Sequence, residues 1–118
     1  MIVAGFGLRA SASLPGLRGL LADIPVDALA IVADKAGHPA LRALAAERAL
    51  PLVSVALADL AGDRAATPAP HQPGRYGPTS VAEAAALAAA GPGSVLIQRR
   101  ITAPDGTATM ALAKGQSA

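Results

Sequence analysis

The chain has 118 residues, 53% of them apolar, with no Cys, no Trp, one Phe and one Tyr. That length suits a single domain spanning residues 1–118, burying roughly two-thirds of the surface its unfolded chain exposes, around a core of Ala, Leu, Val and Ile. The missing Cys excludes disulfides, thiolate metal sites and a cysteine nucleophile, and the scarcity of aromatics argues against stacking single-stranded nucleic acid.

The net charge is +2, and eight of the ten basic residues are Arg, scattered from Arg9 to Arg100 with one adjacent pair, Arg99-Arg100. No basic stripe of the kind a duplex-binding domain shows is present, so no nucleic-acid partner is expected. Scattered Arg reads first as solvated surface and secondarily as a few forks aimed at carboxylates or phosphates. The N-terminus lacks the basic and long apolar regions of a signal peptide. The most apolar stretch, 81–90, is too short to span a bilayer. A soluble, cytoplasmic protein without a membrane partner is expected.

Ile2 to Phe6 predicts a buried strand entering a glycine turn at Gly5-Phe6-Gly7. Leu14, Leu17, Leu20, Leu21 and Ile24 recur at helical spacing behind Ser13, a good N-cap, with Pro15 tolerated only in the first turn. Ala28 to Ala33 predicts a second strand. His38-Pro39 starts a second helix with an apolar face of Leu41, Leu44 and Ala45. Leu52 to Val55 predicts a third strand and Leu57 to Leu60 a helical turn. Residues 62–78 hold four Pro and three Gly, too many for a regular element; loops of that length are usually functional or disordered. An Ala-rich helix over 81–90, stopped by Gly91, follows. Strands at 95–101 and 108–113, joined by Pro104-Asp105-Gly106, form an antiparallel hairpin, and 114–118 is expected to fray. Strand–helix alternation implies right-handed crossovers. The expected fold is a three-layer α/β/α sandwich with a mixed, mostly parallel sheet of about five strands ending in that hairpin.

Gly5-Phe6-Gly7-Leu8-Arg9-Ala10 matches G-x-G-x-x-A after a strand, and Asp34 closes the next strand, superficially a dinucleotide fingerprint. That mechanism needs the helix to open inside the motif. Pro15 would then lie about two turns into the helix, costing ~3 kcal/mol. The glycines read instead as a loop letting backbone approach a ligand or a neighbouring element, or as a plain tight turn. Ser80-Val81-Ala82-Glu83 reads as a capping box in preference to a general acid or base at Glu83. His38 and His71 lie in different loops without further ligands, so no metal site is expected, and no cofactor is implied. Ser11, Ser13 and Ser54 lack a nucleophile setting. His71, Arg75 and Tyr76 could form a polar lid or be plain loop residues. In an open α/β sheet, loops after strand C-termini face one crevice. Arg9, Lys35 and Ser54 would meet there, a pattern suited to a polyanionic small molecule.

Gly5-x-Gly7-x-Arg9, Asp34-Lys35 with Leu41, Pro51-Leu52-Val53-Ser54 with Leu60, Ser80-Val81-Ala82-Glu83-Ala84-Ala85-Ala86-Leu87 and Thr109-Met110-Ala111-Leu112-Ala113 occur in this order. Together they resemble the CobE family, equivalent to the C-terminal domain of CbiG, in cobalamin (vitamin B12) biosynthesis. The resemblance runs from Val3 to Ala113. It implies a single α/β domain acting on or near precorrin or corrin intermediates, tetrapyrroles rich in acetate and propionate carboxylates, with other cobalamin-biosynthesis enzymes as possible partners. The stand-alone form belongs to the aerobic route. In CbiG proteins the lactone-opening hydrolase activity of ring contraction involves a further N-terminal region, which these 118 residues do not include; an enzyme of that stage is the alternative to a binding or carrier protein. The family often has Cys where this chain has Leu8, so no thiol chemistry transfers. A Lys-Arg pair is common before the last hairpin, where this chain has Arg99-Arg100 after Gln98. The resemblance implies a binding role for Gly5, Gly7, Arg9, Lys35, Ser80 and Glu83, and the loop residues His71, Arg75 and Tyr76 would close over the ring. Catalysis is assigned to none of them, Glu83 being the one candidate acid or base.

Overall fold

The computed structural model describes residues 1–116. Five strands, β1 (Ile2–Leu8), β2 (Ala28–Val32), β3 (Leu52–Val55), β4 (Val95–Thr102) and β5 (Ala108–Lys114), form one sheet in the order β3-β2-β1-β5-β4. The pairs β1–β2 and β2–β3 are parallel, while β5 runs antiparallel to both β1 and β4. Four of the five strands therefore point the same way, with β5 alone reversed. The sheet is mixed and mostly parallel, with the hairpin last in sequence, as the pattern predicts.

Side chains alternate across a strand, and β1 shows what each face needs. Ala4, Phe6 and Leu8 point to a core shared with Leu17, Leu20 and Leu21 of α1 (Leu14–Leu21) and Leu41 and Leu44 of α2 (Pro39–Arg48). Val3, Gly5 and Gly7 occupy the other face, against α3 (Val81–Ala90). The result is the expected three-layer arrangement. Ser13 caps α1 by accepting the Gly16 N–H at 3.2 Å. That helix ends at Leu21 on Ala22, whose φ is +48°, so Ile24 follows it instead of extending it. α2 opens at Pro39, with His38 Nδ1 accepting the Ala40 N–H at 3.2 Å.

α3 is buried from Val81 through Leu87, and its alanines allow a very close seat on the sheet. A Cβ placed on Gly5 would come within 2.2 Å of the Ala82 carbonyl oxygen and 2.6 Å of the Ala86 nitrogen. The expected glycine turn is thus not a turn. β1 continues through Gly5 and Gly7 to Leu8, because Gly5 pairs with Ala30 on one side and Ala111 on the other.

The segment 56–80 wraps the outer side of α3. A 3-10 turn at Leu57–Asp59 matches the expected helical turn. The Pro-rich stretch is ordered by its own polar contacts. Ser80 N–H donates to Thr67 O at 2.8 Å, Ala69 N–H to Pro78 O at 2.9 Å, and the Gln72 amide to the Gly77 and Thr79 carbonyls. At the C-terminus the expected fraying is not seen at its start. Lys114 ends β5 opposite Ile2, and Gly115 N–H donates to Met1 O at 2.8 Å. Residues 117–118 of that expectation lie outside the described residues.

Candidate functional site

Because β4 runs parallel to β1, the C-terminal ends of β1, β2 and β4 lie on one edge of the sheet, where β5 begins. A cleft of about 600 Å³ opens there. Gly7, Leu8, Arg9 and Ala10 come from the end of β1, Lys35 from the 3-10 turn Ala33–Lys35, and Arg100 from β4. Thr107 and Thr109 come from the hairpin, and Pro70, His71, Pro73 and Tyr76 from the long connection. Ser80 and Val81, at the start of α3, line its floor.

The backbone carrying Arg9 is fixed on two sides. Its N–H donates to Thr107 O at 2.8 Å. On the other side His38 Nε2 lies 3.1 Å from Arg9 O and 3.2 Å from Ala10 O. With His38 Nδ1 accepting the Ala40 N–H, the ring proton belongs on Nε2, which donates to those carbonyls. The Arg9 side chain remains exposed. Gly7 keeps the floor open: a Cβ there would meet Thr109 Oγ1 at 2.6 Å and Val81 Cγ1 at 3.0 Å.

Tyr76 is buried and carries the inner wall of the connection. Its hydroxyl donates to Asp34 (2.8 Å to Oδ2) and accepts from Arg75 Nη2 at 2.9 Å. Arg75 Nε closes the triangle onto Asp34 Oδ2 at 2.8 Å, and its guanidinium carbon sits 4.5 Å over the Tyr76 ring. Burial acts to raise the Asp34 pKa, but the hydrogen bonds from Arg75 and Tyr76 outweigh it and hold the carboxyl below its ordinary value. Burial and the bond to Asp34 raise the Tyr76 phenol, so it stays a neutral donor.

Of the sequence-predicted residues, the structure brings Gly7, Arg9, Lys35, His71, Tyr76 and Ser80 to the cleft. Gly5 lies beneath α3. Arg75 is turned to Asp34. Ser54 of β3 is not among the lining residues. Glu83 is fully buried in α3 and closes no capping box. Ser80 Oγ does accept the Glu83 N–H at 3.3 Å, but the Ser80 N–H goes to Thr67 O. The Glu83 carboxylate accepts from Ala66 N–H at 2.7 Å, Thr67 N–H at 2.9 Å, the Thr67 hydroxyl, and Arg100 N–H at 2.8 Å. Burial pushes its pKa up, and these bonds together bring it below the ordinary value. A carboxylate so enclosed is held ionised and anchors the connection to β4. Sequence pattern alone does not mark Arg100, Thr107 and Thr109 as cleft residues; the adjacent arginines before the hairpin are the available signal.

Two ion pairs occur among the described residues, Arg18–Glu47 and Arg75–Asp34. Neither uses Arg9, Lys35 or Arg100, and no Asp or Glu lines the cleft. No group of three or more His, Asp or Glu among the described residues is placed to hold a metal ion. None of the described helices is long and apolar enough to cross a membrane.

The family model described as "Cobalamin synthesis G C-terminus" matches residues 2–113. The chain is similar to the crystal structure of CobE, a protein from the cobalamin (vitamin B12) biosynthetic pathway. Identity is 30%, the match covers 100% of this chain and 92% of that one, and the TM-score is 0.82. It is also similar to cobalamin biosynthesis protein chiG from Agrobacterium tumefaciens str. C58, at 31% identity over 99% and 100% of the two chains, with a TM-score of 0.75. Comparison with curated protein sequences gives no match.

Proposed function

Because the chain belongs to the cobalamin synthesis G C-terminus family, and so to the proteins of cobalamin biosynthesis, we propose that its cleft binds a precorrin or corrin intermediate and hands it on within the aerobic pathway. The observation that carries this reading is a cleft collecting cations from separate strand ends, with no carboxylate in its lining to neutralise them. Arg9 and Lys35 pair with ring carboxylates, each charge-assisted contact contributing ~1.5–3 kcal/mol where the bound ring buries it. Pro70 and Pro73 give the ring edge an apolar surface, with the buried Leu8 and Tyr76 behind them. Gly7 and Ser80 leave room for it at the floor, and His71 closes from the rim. Arg75 and Glu83 act behind the cleft, the first by steadying Tyr76 and the second by tying the connection down. In this reading the protein works in the cytoplasm, alongside the enzymes that make and use the intermediate.

The ring-contraction alternative would use Glu83 as its acid or base. Its carboxylate oxygens are already engaged by four donors, and no exposed edge remains for a substrate proton. The test is a titration of corrins bearing free carboxylates, followed by ring absorbance at low and high salt. Binding that weakens with salt, falls in Arg9→Ala and Lys35→Ala, and is lost with an amidated corrin is the expected result. No spectral change with any free-carboxylate corrin or precorrin would sink the proposal.

A further inference from the structure

Strand β4 does not pair evenly with β5. Gln98 stands opposite Leu112 and Ile101 opposite Met110, so two residues, Arg99 and Arg100, face the single Ala111. A bulge of this kind interrupts the ladder and re-aims the side chains around it. Here it sends two consecutive arginines to different places. Arg99 lines a separate groove of about 470 Å³ with Arg64 and Ile97, while Arg100 lines the cleft. The Arg100 N–H donates to Glu83 Oε2 at 2.8 Å.

The placement of Glu83 is otherwise hard to justify. It is a fully buried carboxylate in a helix of alanines, and burying a charge is unfavourable unless several donors meet it. Three of its four donors are backbone N–H groups, two from Ala66 and Thr67 and one from the bulge. None of the four donors is a charged side chain, so the carboxylate fixes chain positions without forming an ion pair with a cleft cation.

We infer that Arg100 is a third carboxylate-binding residue of the cleft and that Glu83 is its positioning residue, holding the β4 bulge in the register that turns Arg100 inward. The inference rests on the corrin-binding reading and adds to it the residue that fixes where a further ring carboxylate is gripped. A ligand with carboxylates spaced along one edge would then be read from β1, β2 and β4 together.

The experiment compares a free-carboxylate corrin, cobyrinic acid, on the wild-type protein and on Arg100→Ala, Arg99→Ala, Glu83→Gln and the double variant Arg100→Ala/Glu83→Gln. Backbone amide exchange is followed in parallel. Arg100→Ala should weaken binding roughly ten- to a hundredfold, and Arg99→Ala should change it by no more than about twofold. Glu83→Gln should speed exchange of the Arg100 amide and weaken binding, and the double variant should bind no worse than Arg100→Ala alone. Wild-type binding left intact by Arg100→Ala overturns the inference while leaving the parent reading standing. Absence of wild-type binding overturns both, and unchanged Arg100 exchange in Glu83→Gln removes the positioning role. Should Glu83→Gln not fold, the contrast between Arg100→Ala and Arg99→Ala still decides whether Arg100 grips the ligand.

Discussion

Replacing Gly5 by Ala tests the seat of α3 on the sheet. The added Cβ would lie 2.2 Å from the Ala82 carbonyl oxygen, 2.6 Å from the Ala86 nitrogen and 2.8 Å from the Ala86 Cβ. All three atoms belong to the helix backbone or its first side-chain carbon, so no flexible group can swing aside. The helix must move bodily, and Gly5 lies on the central strand with partners on both sides, so the strand cannot yield. Overpacking of a tight core costs about 1–3 kcal/mol, occasionally more, and contact with backbone puts this site at about 3 kcal/mol or above. The unfolding entropy of a 118-residue chain is roughly 0.25 kcal/mol per degree. A loss of ~3 kcal/mol therefore lowers Tm by about 12 °C. Gly19 is the control. It sits inside α1 with nothing within 4 Å of the position an added methyl would take, and Gly19→Ala should raise stability by about 0.5–1 kcal/mol. Thermal melts of both variants, with corrin titration at a temperature where each is folded, separate packing from binding. Gly5→Ala should lose stability yet keep its ligand affinity per folded molecule. A melt within about two degrees of wild type would refute the idea that glycine sets the approach of α3.

Two further outcomes follow from the hydrogen-bond network. The Glu83 carboxyl has its pKa lowered below the ordinary 4.5, so its stabilisation is present above that value and is lost as pH falls through the folded-state pKa. Urea denaturation from pH 7 downward should show wild-type stability declining in that acid window, with the decline shallower in Glu83→Gln. His38→Ala removes both the cap of α2 and the bridge to Arg9 and Ala10 and should cost about 1 kcal/mol by thermal melt. His38→Asn, able to cap but too short to bridge, should recover most of that stability while leaving Arg9 O and Ala10 O without the imidazole.

The element pattern is legible because each boundary has a local cause: Ser13 and Ser80 as caps, Pro39 at a first turn, Gly91 at a stop. The glycine pair misleads for a reason visible in its spacing. Gly5 and Gly7 are two apart, hence on one face of a strand, and an alanine-rich helix later in the chain is the natural partner for a face without side chains. Glu83 misleads because S-x-x-E is a local signature, whereas its donors come from Ala66, Thr67 and the bulge at Arg100. Those donors exist only once the long connection and β4 have folded onto α3. Arg100 is out of reach on similar grounds, since its position depends on β5 lying between β1 and β4 and on a register shift in their pairing. Arg9 and Lys35 need only the rule that parallel strands end on one edge.

The cleft's sign depends as much on where acids are kept as on where cations are placed. Asp34 directly precedes Lys35, and Asp105 lies two residues before Thr107, so two carboxylates border lining residues in sequence. Each is taken up locally. Asp34 accepts from both Arg75 and Tyr76, and Asp105 accepts from the Thr107 N–H and hydroxyl at 3.0 and 2.7 Å. The first engagement keeps Arg75 out of the cleft lining, and it fixes the Tyr76 ring. The second shapes the turn that presents Thr107 O to the Arg9 N–H. Both acids thus serve to hold the walls, and the cations that remain without ion-pair partners at this edge are Arg9, Lys35 and Arg100. A chain whose overall charge is only +2 presents in this way three cations without ion-pair partners at one edge, which is what the proposed corrin binding requires.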